Sequence, residues 1–579
     1  LTKYAIIKVK NKECIDMKRF IAFIFLLLVG IPSVNAADIT VELCEYSEEY
    51  KAWLNLSKEE QANTVMPSMC KQEVEGGIIG SSKSYSMERF TLQDKYVLNA
   101  RNQGASDDCW AFSTLASIES NLLKNNINTD YLSVAHLELM TQNSLYTPSF
   151  ITFNRDFNSG GKLEFTAAYV LNNWGPIKES ELPFQTITNL INHTTTINQV
   201  DITSKSASVD VDDIFYLNNA TGTCSENSIT TIKQYLVNHG ALAASIYFDI
   251  KSDEYVNGAY YYYNGNNMPN HAVAIVGWDD SVEVTSFTNH ATRKGAWIVK
   301  NSYGTNVGDN GYFYVSYDDI NICTNLVGFY NADLDVSDEV YYYDDLGTNV
   351  TLTSKSDVNY IANVFTKKNE STEVIDKITF ATSNKGMNYT VYYASNASLK
   401  NYEEIASGTT SHAGYMSVIP NKDIYVTDKF SIVIKLETDS NTDDIIPIAM
   451  KGSATSPYHN FEITDGVSYL STNGESWIDL GDKLNAQVSI RVYTSAKEEN
   501  ISTDVNDSSK IDDDASVELI NPNDDTEGIM LGDTVPTEDT DVDIENPQTG
   551  MISGLSIIVV LLVIGGVILI KKKNKIFKI

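Results

Sequence analysis

The sequence is poor in basic residues. It has 42 lysines and arginines against 76 aspartates and glutamates, which leaves a formal net charge of −34 over 579 residues. Proteins that bind DNA or RNA need a basic surface to neutralise phosphates, so this imbalance argues against a nucleic-acid partner. The acidic composition instead favours a soluble protein that works outside the cell or at its wall.

Cysteine is also scarce. The six cysteines include no Cys-x-x-Cys or Cys-x-x-His pair, so no ligand spacing supports a zinc site, and we expect neither a metal nor another cofactor. Their wide spacing is unlike the dense framework of a small disulfide-rich protein. One bridge, such as Cys44 with Cys70, remains open.

The two ends of the chain carry targeting features. A basic start at Met17 precedes an apolar run over residues 20–31, and small residues end at Ala36. This pattern predicts an export signal within residues 1–36, cleaved after Ala36. The apolar run is too short to span a bilayer permanently, so it indicates secretion.

The C-terminus combines NPQTG at residues 546–550, an uncharged apolar stretch at 551–570 and a basic tail at 571–579. About 20 apolar residues can span a bilayer as one helix, and the lysines hold the tail on the cytoplasmic side. The combination resembles a Gram-positive cell-wall sorting signal, with a plain tail-anchored protein as the alternative. The resemblance implies that a sortase cleaves between Thr549 and Gly550 and joins Thr549 to peptidoglycan. The asparagine that opens the motif is typical of class B sortase signals.

Composition divides the rest of the chain. Residues 89–330 mix helical and strand patterns, with a helix predicted from Trp110 to Lys124, and indicate an α+β domain. Short alternating runs between turn residues predict an all-β sandwich over residues 331–495. Residues 496–545 are acidic and nearly free of aromatics, which predicts a disordered linker.

Cys109 is the first candidate for chemistry. It lies within NQGASDDCWAF, directly before the predicted helix, and a helix N-terminus favours a thiolate. A catalytic thiolate also needs an imidazole. His271 opens one strand-like run and Asn301 ends another, so Asn301 is placed to orient the imidazole ring. The amide of Gln103 and the backbone N–H of Cys109 are candidate oxyanion donors.

Three segments, QGASDDCWAF, NHAVAIVGWDD and KNSYG, resemble the catalytic blocks of papain-like cysteine peptidases. The resemblance implies that Cys109 is the nucleophile and His271 the general acid and base. It assigns the orienting role to Asn301 and the oxyanion hole to Gln103. It also implies a two-subdomain peptidase over residues 89–330, with a helical half and a β-barrel half. The implied substrate-binding positions are Gly160, Gly161, Trp110, Ala272 and Tyr303.

The segments flanking the peptidase also carry a resemblance. Residues 37–88 contain a polar stretch, 46–66, that is similar to a short inhibitory propeptide, and within it Ser57 and Glu60 predict a capping box. The β region at residues 331–495, with YYYDDLG at 341–347, is similar to the lectin-like domain that follows some bacterial peptidases of this family. This resemblance implies a possible glycan ligand.

Four positions depart from the family pattern. Ser106 stands where the family has a disulfide cysteine, and Tyr303 replaces a tryptophan that covers the His–Asn hydrogen bond. Asp107 and Asp108 add negative charge beside Cys109, which is expected to raise its pKa and to disfavour acidic substrates.

Other distinctive residues favour structural roles. Tyrosine runs at 260–263 and 341–343 are typical of half-buried strands, and they stack on sugars less often. The pair Asp279 and Asp280 is more typical of a turn than of a calcium site. His136 is expected on the surface of a helix.

The leading hypothesis is a secreted, wall-anchored cysteine endopeptidase, made as a zymogen, that cuts protein or peptide substrates through a thioester. One alternative is a wall-anchored adhesin or glycan-binding protein with an inactive peptidase fold. Another is a Cys/His hydrolase that cleaves peptidoglycan.

Overall fold

The computed structural model describes residues 41–497. Within that range it omits residues 58–59, 62–63, 65–66, 68–69, 71–86, 144–151, 198–199, 203, 218–221, 289–290, 355, 384, 439–443 and 455. The predicted export signal, sorting motif, apolar span and basic tail lie outside the described residues, as does the predicted linker beyond residue 497. Among the residues described, no helix has both the length and the apolar character needed to cross a membrane.

Most of the described helices lie in the first part of the α+β region, with one helix before that region and one short helix in the β region. The helices are α1 (Glu48–Leu54), α2 (Cys109–Lys124), α3 (Val134–Met140), α4 (Phe165–Leu171), α5 (Gln185–Ile191), α6 (Glu226–Asn238) and α7 (Leu480–Leu484). Helix α2 begins one residue before its predicted start, and its apolar positions, such as Leu115 and Ile118, are fully buried. Its close approach to the loop before β4 requires a glycine, because a Cβ at Gly240 would lie 2.8 Å from Ser120 Oγ.

Strands dominate the second part. They are β2 (Arg89–Thr91), β3 (Asp210–Leu217), β4 (Leu242–Ile246), β5 (Tyr255–Val256), β6 (Tyr260–Tyr261), β7 (His271–Asp279), β8 (Ala296–Lys300), β9 (Tyr312–Ser316) and β10 (Leu326–Asp333). They lie in the order β3-β10-β4-β7-β8-β9-β6-β5, with β2 paired to β7. Helix α2 packs on β4, β7 and β10. The helical half and the β half that the resemblance implies are therefore both present.

The region beyond residue 338 is rich in strands, as predicted. Its strands are β11 (Glu339–Tyr341), β12 (Val350–Ser354), β13 (Val358–Thr366), β14 (Glu373–Thr382), β15 (Asn388–Ala394), β16 (Glu403–Thr409), β17 (Gly414–Val418), β18 (Lys429–Glu437), β19 (Asp444–Met450), β20 (Ser468–Ser471), β21 (Ile478–Asp479), β22 (Ala486–Val488) and β23 (Ile490–Ala496). A six-stranded sheet, β16-β15-β18-β13-β20-β21, shares one apolar core with the neighbouring β11-β23-β14-β17 strands.

The two regions share both a sheet and a core. Strand β17 pairs with β3, so one 13-stranded sheet runs from the α+β region into the β region. The guanidinium of Arg491 on β23 is fully buried, pairs with Asp344 at 2.7 Å and bonds the side-chain oxygen of Asn172, just beyond α4. Because these partners come from both regions, the two regions pack as one unit.

The segment before residue 71 attaches to the β region. Strand β1 (Val41–Leu43) pairs antiparallel with β12, and Tyr50 and Trp53 of α1 are buried in the main core. The predicted capping box is confirmed, because Ser57 N–H donates to Glu60 and Glu60 N–H donates to Ser57 Oγ.

Two disulfides are present among the described residues. The bridge between Cys44 and Cys70, left open by the sequence, is formed. A second bridge joins Cys224 to Cys323, and the sequence spacing of these two cysteines did not suggest that they pair. These two cysteines are 99 residues apart in the sequence, and only folding brings their Cα atoms to 5.3 Å.

Candidate active site

Cys109 is the first residue of α2 and the only free cysteine among the described residues. Its side chain is partly accessible. Burial raises the pKa of the Cys109 thiol to about 12, whereas hydrogen bonds with the backbone of Ala272 and Trp110 oppose this shift. The contact with Ala272 places the thiol beside the start of β7, where His271 lies.

His271 and Asn301 are brought together by neighbouring strands. His271 begins β7, Asn301 directly follows β8, and His271 Nε2 lies 2.8 Å from Asn301 Oδ1. The amide oxygen only accepts hydrogen bonds, so Nε2 carries the proton and Nδ1 carries the lone pair of the neutral ring. Burial lowers the pKa of His271 to about 4, and the hydrogen bond with Asn301 opposes the shift. Burial therefore disfavours the charged form of both the thiol and the imidazole.

Two aromatic rings hold the imidazole. The Tyr303 ring centroid lies 4.7 Å from that of His271, and its hydroxyl lies 3.4 Å from Nδ1. Phe248 stacks on His271 at 5.6 Å. Sequence reasoning found Tyr303 but missed Phe248, which lies two residues beyond β4 and reaches the site only because β4 pairs with β7.

Gln103 is buried close to the residue that follows Asn301. Its side-chain Nε2 donates to Ser106 O at 2.5 Å, and its Oε1 accepts from Ser302 Oγ at 2.5 Å. A carboxamide nitrogen has two hydrogens, so one N–H remains for a developing oxyanion. Sequence reasoning missed Ser302, although its position within KNSYG was the available signal.

The remaining predicted substrate-binding positions fall in two places. Gly160, Gly161 and Trp110 lie together at the wall formed by residues 155–161, and Ala272 lies beside Cys109 at the start of β7. A Cβ at Gly161 would lie 2.4 Å from Trp110 Cε2, so the indole packs directly beneath the backbone of Gly161. Gly160 has a positive φ of 71°, and its carbonyl accepts from Arg155. Trp110 and Ala272 are buried. This wall can present main-chain groups to an extended peptide.

The aspartates before Cys109 lie beside a buried ion pair. Glu138 pairs with Arg155, and both are buried. Asp108 is fully buried, and burial, followed by the charge of Glu138, raises its pKa well above the usual range. Burial and Glu138 also raise the pKa of Asp107 to about 6. Both aspartates raise the pKa of Cys109, in the direction that the sequence predicts.

We expect the thiol of Asp107→Asn to react about two- to fivefold faster than wild type with 2,2′-dipyridyl disulfide at pH 8. Asp107 is charged above about pH 6 and loses its charge below, so the difference should vanish at pH 5. Asp156→Asn, at an exposed position in the same wall, serves as the control. An equal acceleration at both pH values would show that the Asp107 charge is not the cause.

His136 corrects a sequence prediction. It is fully buried within α3, and its ring bonds Tyr169 Oη at 2.7 Å and Ile202 O at 3.2 Å. The surface position expected for it is wrong, because α3 is enclosed on every side. The tyrosine runs occupy buried and half-buried positions, as predicted. Asp279 bonds Ser281 in a turn, and Asp280 pairs with Lys233.

Together, this fold and the Cys–His–Asn arrangement define the class, a papain-like cysteine peptidase domain. Residues 86–327 match the family model described as papain family cysteine protease, and residues 340–494 match the model described as lectin like domain. The chain therefore contains a papain-family C1 peptidase domain followed by a lectin-like domain.

Two known relatives each match about two fifths of the chain. Cathepsin J of Mus musculus is 27% identical over 237 residues, which are 40% of this chain and 60% of the relative. Cathepsin K of Mus musculus is 28% identical over 251 residues, 40% of this chain and 61% of the relative. The chain thus spans about three fifths of the length of these relatives.

A solved structure contains both domains. It comprises the cysteine protease and lectin-like domains of Cwp84, a surface layer associated protein of Clostridium difficile. It aligns with a TM-score of 0.67 at 24% identity and covers 80% of this chain and 100% of that one. The structure of Cwp84 after propeptide cleavage aligns with a TM-score of 0.62 at 24% identity, and the alignment covers 71% of this chain and 99% of that one. At this identity the likeness shows the shared fold.

Proposed function

We propose that the chain is a cysteine endopeptidase, made as a zymogen, that hydrolyses peptide bonds in protein substrates. One observation carries the proposal. The free thiol of Cys109 lies at the N-terminus of α2, beside the strand whose His271 is hydrogen-bonded to Asn301. A nucleophile, a base and a residue that orients the base are thus assembled from three separate elements.

The proposed reaction begins with proton transfer from Cys109 Sγ to His271 Nδ1. The sulfur then attacks the scissile carbonyl carbon, and the oxyanion is stabilised by the backbone N–H of Cys109 and the unused N–H of Gln103. His271 returns the proton to the leaving amine as the C–N bond breaks, which leaves a thioester. Water, deprotonated by His271, hydrolyses the thioester, and the proton returns to the thiol.

The test is hydrolysis of a peptide library by the chain under reducing conditions, before and after limited digestion with an added protease. Cleavage that a covalent epoxide inhibitor blocks, with the label on Cys109, supports the proposal. Absence of both cleavage and labelling after digestion would instead favour a binding protein with an inactive peptidase fold. Release of muropeptides from purified walls would favour a peptidoglycan hydrolase.

Ser302 is proposed to position Gln103. We expect Gln103→Ala to lower kcat by about 10²-fold or more, as for loss of one oxyanion donor. Ser302→Ala should lower kcat about 5- to 20-fold with little change in KM, because the freed amide loses its orientation. Ser302→Thr keeps a hydroxyl and should recover part of the rate.

Steady-state kinetics on one cleaved peptide measure these effects. Ser281→Ala is the matched control, since Ser281 is a hydroxyl residue bonded to Asp279 at another site. A Ser302→Ala change in KM alone, without loss of kcat, would contradict the positioning role.

We further infer that residues 37–88 act as a propeptide that the lectin-like domain retains. The pairing of β1 with β12 and the burial of Tyr50 and Trp53 support this inference. The bridge between Cys44 and Cys70 lies within the segment, so a cut after residue 70 would leave it attached only by non-covalent contacts. Co-elution of the cut segment with the peptidase under native conditions, and separation in denaturant, tests this.

Secretion and anchoring to a Gram-positive wall are proposed from the sequence alone. After export through the N-terminal signal, a sortase would cleave the chain after Thr549 and join Thr549 to peptidoglycan. Mass spectrometry of muramidase-digested walls should find Thr549 linked to a wall peptide. Thr549→Ala should release the protein into the medium.

A further inference from the structure

A cluster of aromatic side chains covers one face of the six-stranded sheet of the lectin-like domain. This aromatic cluster consists of five half-buried residues: Tyr360, Tyr392, Tyr402, Tyr469 and Trp477. They pack over small and aliphatic residues, among them Ala362 and Val433. The opposite face of the same strands supplies fully buried core residues such as Ile434, so the aromatic cluster lies on the outer face.

Strand register explains the arrangement. Tyr392 on β15 pairs with Val433 on β18, Val433 pairs with Ala362 on β13, and Ala362 pairs with Tyr469 on β20. Side chains directly across a sheet share one face, so two small residues lie between two tyrosines. This row forms a shallow floor with an aromatic ring at each end.

Loops add two more rings to this floor. Tyr402 meets Tyr392 at a centroid distance of 4.9 Å and an interplanar angle of 54°, and Trp477 meets Tyr360 at 6.3 Å and 76°. A tilted pair and a T-shaped pair do not hide both faces of each ring. The aromatic cluster is therefore a partly exposed surface of rings rather than a closed core.

The polar atoms of the aromatic cluster lack protein partners. None of its four tyrosine hydroxyls bonds a described residue, and the buried indole N–H of Trp477 has no partner there either. Elsewhere in the same domain, Tyr341 bonds Glu373 and Tyr343 bonds the backbone of Val364. Tyrosine hydroxyls usually find a hydrogen-bond partner in the protein when they are buried, so the four hydroxyls of this half-buried cluster are available to a ligand.

Charges around the aromatic cluster limit what it can bind. Lys435 on β18 lies opposite Tyr360 on β13, but its ammonium is bonded to Glu437 at 2.7 Å. Glu404 lies opposite Tyr392, and Asp479 lies opposite Tyr469. These carboxylates disfavour an anionic ligand.

We propose that the aromatic cluster is a binding site for a saccharide of neutral or N-acetylated pyranose units. The C–H face of a pyranose packs on aromatic rings, and its hydroxyls can bond the free tyrosine hydroxyls. This site goes beyond the proposed peptidase function and uses no residue of the peptidase domain.

The experiment is titration of the full chain with chitotetraose and, separately, with cellotetraose. Binding is measured by calorimetry and by Trp fluorescence. Polysialic acid serves as the anionic probe. At least one neutral probe should bind saturably. Trp477→Ala and Tyr392→Ala should weaken that binding at least tenfold, and Tyr402→Phe, which loses only a hydroxyl, should weaken it less. Tyr425→Ala removes an exposed tyrosine of the same domain outside the aromatic cluster and should bind like wild type.

Several results would overturn the proposal. They are no binding of either neutral probe, stronger binding of polysialic acid, or an equal loss in Tyr425→Ala. Self-association that depends on Trp477, seen by sedimentation, would identify the face as a contact between copies of the chain. If an alanine variant does not fold, Tyr402→Phe still tests the proposal, because it keeps the ring and removes only the hydroxyl.

Discussion

Replacing Cys109 by alanine is expected to abolish peptide hydrolysis, with a loss of about 10⁴-fold or more in kcat, as for removal of a nucleophile in other covalent hydrolases. No other described cysteine can substitute, because the remaining four are paired in disulfides. Initial rates on a fluorogenic peptide cleaved by the wild type measure the effect. Labelling by the epoxide inhibitor should disappear in parallel.

The base should matter as much as the nucleophile. His271→Ala is expected to cause a comparable loss, because the proton on Cys109 Sγ then has no acceptor. His459→Ala is the matched control, since His459 lies in the lectin-like domain and bonds only the backbone of Gly452. Hydrolysis that persists in purified Cys109→Ala at more than a few per cent would place the nucleophile elsewhere.

The second large effect concerns stability. Arg491→Met is expected to lower the free energy of unfolding by about 3–5 kcal/mol, because it leaves the buried carboxylate of Asp344 without its partner. It also removes the two hydrogen bonds to Asn172 that join the lectin-like domain to the peptidase domain. Chemical denaturation of the full chain measures the loss.

A double variant tests whether the loss of stability comes from the unpaired carboxylate of Asp344. Arg491→Met combined with Asp344→Leu removes both charges and should recover a substantial part of the loss. Lys497→Ala is the control, because its ion pair with Asp423 is exposed and should contribute little. A single Arg491→Met variant as stable as the wild type would show that the buried pair does not hold the two domains together.

Local sequence features predicted much of the site. The apolar spacing after Cys109 predicted α2 within one residue of its start. The resemblance of the three segments to papain-like catalytic blocks implied that His271 and Asn301 would meet, and they are hydrogen-bonded. The helix prediction succeeds because helix periodicity and capping depend on residues a few positions apart. The capping box of Ser57 and Glu60 is confirmed for the same reason.

Residues that act through space were missed. Phe248 supports His271 because β4 pairs with β7, and Ser302 holds Gln103 across 199 positions of the sequence. The bridge from Cys224 to Cys323 and the burial of His136 belong to the same group. None of these contacts leaves a periodic pattern in the sequence.

The sequence by itself predicted the candidate reactive residues, through their resemblance to papain-like catalytic blocks, and the change from an α+β to a β-rich region, through short-range repetition. Only the tertiary structure decided that β3 and β17 join the two domains in one sheet and that β1 docks on the lectin-like domain. It also decided that five aromatic residues meet on one outer face. Strand pairing between distant segments sets these features, since sheet hydrogen bonds are formed by the backbone and any two compatible edges can pair.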